Sequence, residues 1–401
     1  MWCYLETNMG GRTYVVAFVL IISYLYLLYA STKTSAGFLL LNSLNSVQWK
    51  LEILDDQNTS NTAIDQNITD VAIDNYLEQD YEEENLESNS SQIENSLETE
   101  NEVIEDDGVP NFYSDKFETY DCSKRFSKPG SEPGFMVIGV HKGGSTGLYN
   151  YLSKHGHVRP AVCKEIHFFD DDSQFVKGRK FYLRHFPNLS KWNGKVITGE
   201  GSPDYVRILN VAKRVKDAFP NIRLLVTLRE PSTRFESHWV GARDNKHDIG
   251  LLPCERAWNT SLFHFQVCLS TFSQEYCEKK LHENPIVRGI YEFQLEQWLT
   301  YFSSEQIFII QAESMFRDLN STMQRVAKFL NLRPYTEGEL ISLKFAYEGS
   351  AHMSEPSVNQ CKKFKPVMDA FYAKHNKRLI KLLENKFPEV LTNWVQGWSG
   401  I

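Results

Sequence analysis

The chain has 401 residues, 42% of them hydrophobic, with 43 Lys and Arg against 51 Asp and Glu and a formal net charge of −8. That length provides for one large domain plus further segments. The charge is lopsided: residues 51–110 hold 19 Asp and Glu and no Lys or Arg, which leaves 40 basic against 31 acidic residues in 111–401. A basic folded part behind an acidic segment suits a polyanionic partner; it would equally suit nucleic acid, but no nucleic-acid fold motif appears, and nucleic acid is not expected as that partner.

The first element is the uncharged run of 17 residues from Tyr14 to Ala30, preceded by Arg12 and followed by Lys33. It is just long enough to span a bilayer and longer than an ordinary signal-peptide core. The reading is a cytoplasmic tail at 1–13 and a signal anchor at 14–32, giving a type II membrane protein. A cleaved signal peptide is the alternative, and either puts the rest of the chain in the secretory lumen. Residues 33–120 form an acidic stem rich in Asn, Ser, Asp and Glu, expected to be disordered because it cannot bury enough apolar surface. Asn-x-Ser/Thr tripeptides at Asn58, Asn67, Asn89, Asn188, Asn259 and Asn320 agree with a lumenal, glycosylated chain. Beyond Cys3 there are six cysteines, Cys122, Cys163, Cys254, Cys268, Cys277 and Cys361. An even number in an oxidising compartment allows three disulfides, with the pairing open. No Cys-x-x-Cys pair occurs, so neither zinc nor another metal is expected.

The domain is expected over 121–401, and from about residue 134 strand and helix patterns alternate. Strands are predicted at 135–140, 195–199, 222–228 and 306–311, and helices at 145–155, 207–218, 232–243, 286–303, 319–330 and 364–384. Such alternation implies an α/β fold with a central parallel sheet and helices on both faces. The apolar spacing from Val287 to Leu299 marks core rather than site.

Phe135-Met-Val-Ile-Gly-Val-His-Lys-Gly-Gly-Ser-Thr146 reads as a buried strand entering a glycine turn, then a helix. Loop N–H groups, helix dipole, Lys142 and the hydroxyls of Ser145 and Thr146 make an anion site. The lysine precedes Gly143 and Gly144, which is the wrong order for a triphosphate loop. It suits a loop around one terminal phosphate, with the lysine reaching toward the transferred group. A second strand, Asn221 to Leu228, ends in Arg229-Glu-Pro, with Ser237 eight residues on. Arg229 belongs at the carboxyl edge of the sheet, where such folds bind ligands. Arg229 and Ser237 would grip a phosphate from two sides, and two grips on two strand ends point to a ligand with two well-separated phosphates.

Val137 to Thr146 resembles the 5′-phosphosulfate loop of the sulfotransferases, and Arg229-Glu-Pro with Ser237 resembles their 3′-phosphate motif. Lys164-Glu-Ile-His-Phe-Phe-Asp170 is similar to the Lys-Glu-x-His-Phe-Phe segment of the Golgi glycosaminoglycan sulfotransferases, among them the heparan sulfate N- and 3-O-enzymes and the chondroitin GalNAc-4-sulfate 6-O-enzyme. The resemblance covers roughly residues 134–395. It implies a P-loop-like sulfotransferase fold, the donor 3′-phosphoadenosine 5′-phosphosulfate (PAPS), no metal, and a Golgi membrane protein with a lumenal catalytic domain. The reaction it implies moves a sulfuryl group to a glycan hydroxyl in preference to an amine.

Residue by residue, the resemblance gives Lys142 the leaving phosphate, and Gly143, Gly144, Ser145 and Thr146 the donors around it. Arg229 and Ser237 take the 3′-phosphate. Glu165 becomes the base, with Ile166, Phe168 and Phe169 expected to shield it from water. His167 and Asp170 position Glu165 and the sugar, and His167 joins the catalytic group. Arg179, Lys180 and Arg184 are candidates for contact with a sulfated or uronate chain, or else a solvated basic face. Gly201 stands where many heparan enzymes carry an acceptor lysine, and the Lys-Gly-Arg loop of the 3-O-enzymes is absent. Ser350 and His352 in its place are candidates to close over the nucleotide. These departures lean toward a chondroitin or dermatan acceptor. A lumenal P-loop kinase and a non-catalytic glycan-binding relative are the alternatives; an oligomer is compatible with the sequence.

Overall fold

The computed structural model describes residues 103–104, 122–192, 194–343, 359–395 and 397–400, all within the compact unit Glu94–Ile401. The predicted tail and anchor, the stem apart from 103–104, the sequons at Asn58, Asn67 and Asn89, and the segment with Ser350 and His352 lie outside the described residues. Val103–Ile104 pairs in parallel with Arg125–Phe126 ahead of the main sheet.

Five strands form one parallel sheet: β1 (Phe135–Gly139), β2 (Val158–Pro160), β3 (Ile197–Gly201), β4 (Arg223–Leu228) and β5 (Ile307–Gln311). Their spatial order is β2-β3-β1-β4-β5. β1 is buried at all five positions and lies in the middle, as a continuous apolar run covered on both faces requires. Alternate residues face opposite ways. Met136 and Ile138 of β1, Leu224 and Val226 of β4, and Ile307 and Ile309 of β5 enter one core. Phe135, Val137, Leu225 and Ile310 enter the other.

Helices cover both faces. α1 (Ser145–Ser153) brings Leu148, Tyr149 and Leu152 to the second core, joined by Met323 and Val326 of the helix Leu319–Phe329. On the first face lie α2 (Gly178–Leu183), α3 (Leu209–Ala218), the helix Tyr291–Leu299 and the long helix Lys365–Lys386, with Val211, Val215, Leu295, Trp298, Leu379 and Leu383 buried among them. A third cluster joins α4 (Pro231–Asp244) to α5 (Cys254–Thr271) around Phe235, Trp239, Trp258 and Tyr372.

The α/β architecture with helices on both faces therefore agrees with the expectation. β3 starts two residues later than predicted, β2 and α5 were not predicted, and the predicted helix 286–303 is a 3-10 turn at Val287–Gly289 followed by Tyr291–Leu299. All six described cysteines are paired: Cys122–Cys163, Cys254–Cys361 and Cys268–Cys277.

Candidate active site

The turn after β1 is built from backbone. Val140 N–H donates to Thr227 O at 2.9 Å, Thr227 Oγ1 donates to Gly139 O at 3.0 Å, and Gly143 N–H donates back to Val140 O at 2.9 Å. Gly143 is forced by this closeness: a Cβ there would lie 2.8 Å from Thr227 O and 2.5 Å from Val140 Cγ2. Gly144 stands at φ 96°, a left-handed conformation natural to glycine, and begins α1 without any side-chain cap. The first bond of α1 runs from Leu148 N–H to Gly144 O at 3.0 Å. The N–H groups of 145–147 are thus left to the loop opening, beside buried Ser145 and half-buried Thr146.

Lys142, at φ 64°, carries its side chain across the opening to α4. Its Nζ lies where a Cβ on Gly241 would be only 2.6 Å away, so the missing side chain at 241 makes room for the ammonium. Ser237 sits one turn earlier on α4 and half-buried. Arg229, at the end of β4, donates through Nη1 to Lys142 O at 3.4 Å, and Tyr291 OH fixes the Arg229 carbonyl at 2.8 Å. The next residue, Glu230, caps α4 by accepting from Ser232 N–H and Thr233 N–H. Lys142 and Arg229 are thus brought together, because β1 and β4 are neighbouring strands about 5 Å apart.

The second half of the site follows β2. The Cys122–Cys163 disulfide pins the chain just before Lys164, and Glu165 N–H donates to Gly201 O at 3.0 Å. Glu165 and His167 both take positive φ, 66° and 51°. These reversals turn Ile166, Phe168 and Phe169 into the core while the Glu165 side chain stays 44% exposed. The apolar shield expected over Glu165 is therefore not formed. His167 Nδ1 bonds Asp170 Oδ2 at 2.7 Å, and this hydrogen bond raises its proton affinity against the opposing effect of burial. His167 N–H donates to Ser202 Oγ at 3.2 Å.

Arg179 and Lys180 are not brought to this edge. Arg179 pairs with Glu132 at 2.5 Å and covers the Phe219 ring at 5.1 Å. Both partners precede strands, at the amino edge of the sheet, opposite Lys142. Lys180 is exposed on the same short helix, and Arg184 donates to Phe126 O at 2.9 Å.

Lys164 and His141 adjoin predicted site residues in sequence, while Glu200 and Asp204 are brought beside them only by tertiary packing. Lys164, 2% exposed, contacts Glu165 Oε1 through its ammonium, and burial lowers its proton affinity despite the attraction of Glu165, Glu200 and Asp204. Glu200 is fully buried and accepts from Tyr182 OH at 2.6 Å, Ser202 Oγ at 2.7 Å and Tyr205 OH at 3.1 Å. Burial raises its proton affinity against these three bonds. His141, beside Lys142, faces His238 at 3.4 Å and Arg288 Nη1 at 3.2 Å. Burial and the Arg288 charge bring His141 down to about 3. Burial would raise Asp204, yet Arg207, bonded at 3.0 Å, and Arg288 outweigh it and hold the carboxyl far below its usual range. Asp204 raises the proton affinity of His141, Lys164 and His167 alike, so it stands between the two halves of the site. Among the described residues no cluster of His, Cys, Asp or Glu forms a metal site.

A glycine turn with a lysine across it, an arginine at the end of the neighbouring strand and an exposed carboxylate after β2 stand in one stretch of the chain. The sulfotransferase domain model matches residues 132–362, which contain all of these. The chain belongs to the sulfotransferase domain family. Among curated relatives, heparan sulfate glucosamine 3-O-sulfotransferase 5 from Mus musculus is 33% identical over 205 residues, 50% of this chain and 54% of that protein. Bifunctional heparan sulfate N-deacetylase/N-sulfotransferase 4, also from Mus musculus, is 26% identical over 66% of this chain and 31% of its own length. The chain thus spans about half or less of the curated relatives it matches. A sulfotransferase from Alicyclobacillus acidocaldarius aligns with a TM-score of 0.45 and 22% identity, over 63% of this chain and 96% of that one.

The lean toward a chondroitin or dermatan acceptor finds no support in these relatives, whose names are those of heparan sulfate enzymes. Its physical footing is weak as well. A side chain at Gly201 would begin 3.3 Å from the Tyr149 ring and 3.5 Å from Val137 Cβ, under α1 and inside the core. The absence of a lysine there removes nothing from an acceptor face.

Proposed function

We propose that this chain transfers a sulfuryl group from PAPS to a hydroxyl of a heparan-type glycosaminoglycan, in the lumen of the Golgi. The observation that carries the reading is the meeting of Arg229 with the Lys142 loop at 3.4 Å, with Ser237 and Gly241 on the facing helix. A bisphosphorylated nucleotide needs that combination: a ring of N–H donors and a mobile cation at one phosphate, and a guanidinium with a hydroxyl at the other. The pairing of all six described cysteines supports an oxidising compartment.

In this reading the acceptor oxygen attacks sulfur in line with the departing phosphate oxygen, forming one S–O bond as the other breaks. Lys142 neutralises charge on that leaving oxygen, helped by the N–H groups at the start of α1. Glu165 accepts the hydroxyl proton and later gives it to water. His167, held by Asp170, orients the acceptor beside it. The products are a sulfate ester and adenosine 3′,5′-bisphosphate.

The test is to give the secreted chain labelled PAPS with desulfated heparan, chondroitin and dermatan, and to map the labelled position. Label on heparan hydroxyls is expected. Label confined to chondroitin would overturn the acceptor, and thermal protection by ATP but not PAPS would overturn the donor.

A further inference from the structure

Lys164 is the residue of this site whose burial is hardest to explain by packing alone. Its side chain is 1% exposed although it carries an ammonium, while its neighbour Glu165 is 44% exposed. Burying a lone ammonium is costly, so such a group is kept where its charge has partners. Its nearest partner is Glu165 Oε1, in direct contact. The ammonium takes one carboxylate oxygen and leaves Oε2 without a protein partner among the described residues, on a side chain that is 44% exposed.

The backbone is arranged around this contact. Cys163 is locked to Cys122, Glu165 N–H is held by Gly201 O at 3.0 Å, and the positive φ at Glu165 turns its side chain away from the core that receives Ile166. Left alone, an exposed glutamate would sample several rotamers. Anchored at one oxygen, it presents the other in one direction.

We propose that Lys164 is the positioning residue of the base: it clamps Glu165 by Oε1, so that Oε2 is aimed at the acceptor hydroxyl. This rests on the reading of Glu165 as the base. The other charged groups facing the pair are Glu200 and Asp204 from β3 and the turn after it, and His167 and Asp170 from the same loop as Glu165. Glu200 is already saturated by three hydroxyls, and Asp204 is held by Arg207. Glu165 is therefore the carboxylate the ammonium is left to serve.

The experiment compares Lys164→Met, Lys164→Arg and Glu165→Gln in the full chain, following sulfate transfer against pH, binding of adenosine 3′,5′-bisphosphate, and melting temperature. Methionine fills similar volume without charge. Removing an opposite charge in contact should move the acid limb of kcat/KM upward by about one pH unit and lower kcat about 10- to 100-fold. Nucleotide affinity should stay within about twofold of the parent, because Lys164 lies outside the loop that carries Lys142. Lys164→Arg should recover part of kcat and return the acid limb toward the parent.

If Lys164→Met keeps the parental acid limb and kcat, the clamp is refuted. If it does not fold, Lys164→Gln takes its place: a parental limb and kcat refute the clamp, and a displaced limb with lowered kcat supports it. Glu165→Gln separates the two ideas. Parental transfer by that variant refutes the base itself, whereas its loss with an unmoved limb in Lys164→Met refutes only the clamp.

Discussion

Gly143→Ala is a demanding test of how the loop is built. The new Cβ would stand 2.5 Å from Val140 Cγ2, 2.8 Å from Thr227 O and 3.0 Å from Val140 O. The valine methyl can turn aside, but the two carbonyls are backbone, and each already accepts a loop hydrogen bond at 2.9 Å. Relief requires the turn to move by several tenths of an ångström. Overpacking of this kind costs about 1–3 kcal/mol, and losing one of the two bonds adds about 1 kcal/mol. At about 2–4 °C per kcal/mol for a domain of this size, melting should fall by roughly 4–16 °C. The stabilisation conferred by adenosine 3′,5′-bisphosphate should shrink with it, since the same N–H groups are displaced. Gly201→Ala is the control: its nearest neighbour is a side chain, the Tyr149 ring at 3.3 Å, and no backbone atom is as close, so its cost should be smaller, about 1 kcal/mol. Parental melting and a parental nucleotide response in Gly143→Ala would show that the loop does not bind through this backbone.

Arg229→Ala should weaken adenosine 3′,5′-bisphosphate binding by about 10- to 150-fold, the worth of a charge-assisted hydrogen bond; calorimetry giving an unchanged Kd would remove Arg229 from the site. Burial raises the Glu278 carboxyl to about 7, with Glu292 and Glu296 adding to it and Gln274 and Arg378 opposing. Because the folded value exceeds the unfolded one, its contribution is greatest below about pH 4.5 and is lost as pH climbs toward 7. Glu278→Gln should flatten that decline, read as urea midpoints at pH 5 and 7.5; identical pH slopes in parent and variant would contradict it. Replacing both Cys254 and Cys361 by Ser opens a crosslink spanning 107 residues, and the urea unfolding free energy should drop by up to about 4–5 kcal/mol on chain-entropy grounds. A drop of under about 1 kcal/mol would mean the helical packing around Trp258 and Tyr372 holds unaided.

The fold was legible where burial is two-sided. β1, β4 and β5 are predominantly apolar along their length, as a strand between two helical layers requires. β2 escaped because it is three residues, Val-Arg-Pro, too short for any period. α5 escaped because its buried face is read only against α4: Trp258 packs on Phe235 at 5.0 Å. The glycine loop and Arg229 were legible because backbone closeness and strand ends leave marks in consecutive residues. His141 and Arg288 are 147 positions apart, and nothing local signals their contact. Arg179 misled for the converse reason: nearness in sequence to Glu165 does not survive the turn of the chain, which carries it to the other end of the sheet.

The empty place at Gly241 has a consequence for variation in this protein. The reach of the Lys142 tether is set by what stands four positions after Ser237, on an element far from the loop in sequence. A methyl there would push the ammonium back toward the glycine turn, and a longer polar chain would compete with it for the same anion. One helical position thus works as a length stop for a cation on another segment, adjustable without touching the loop itself.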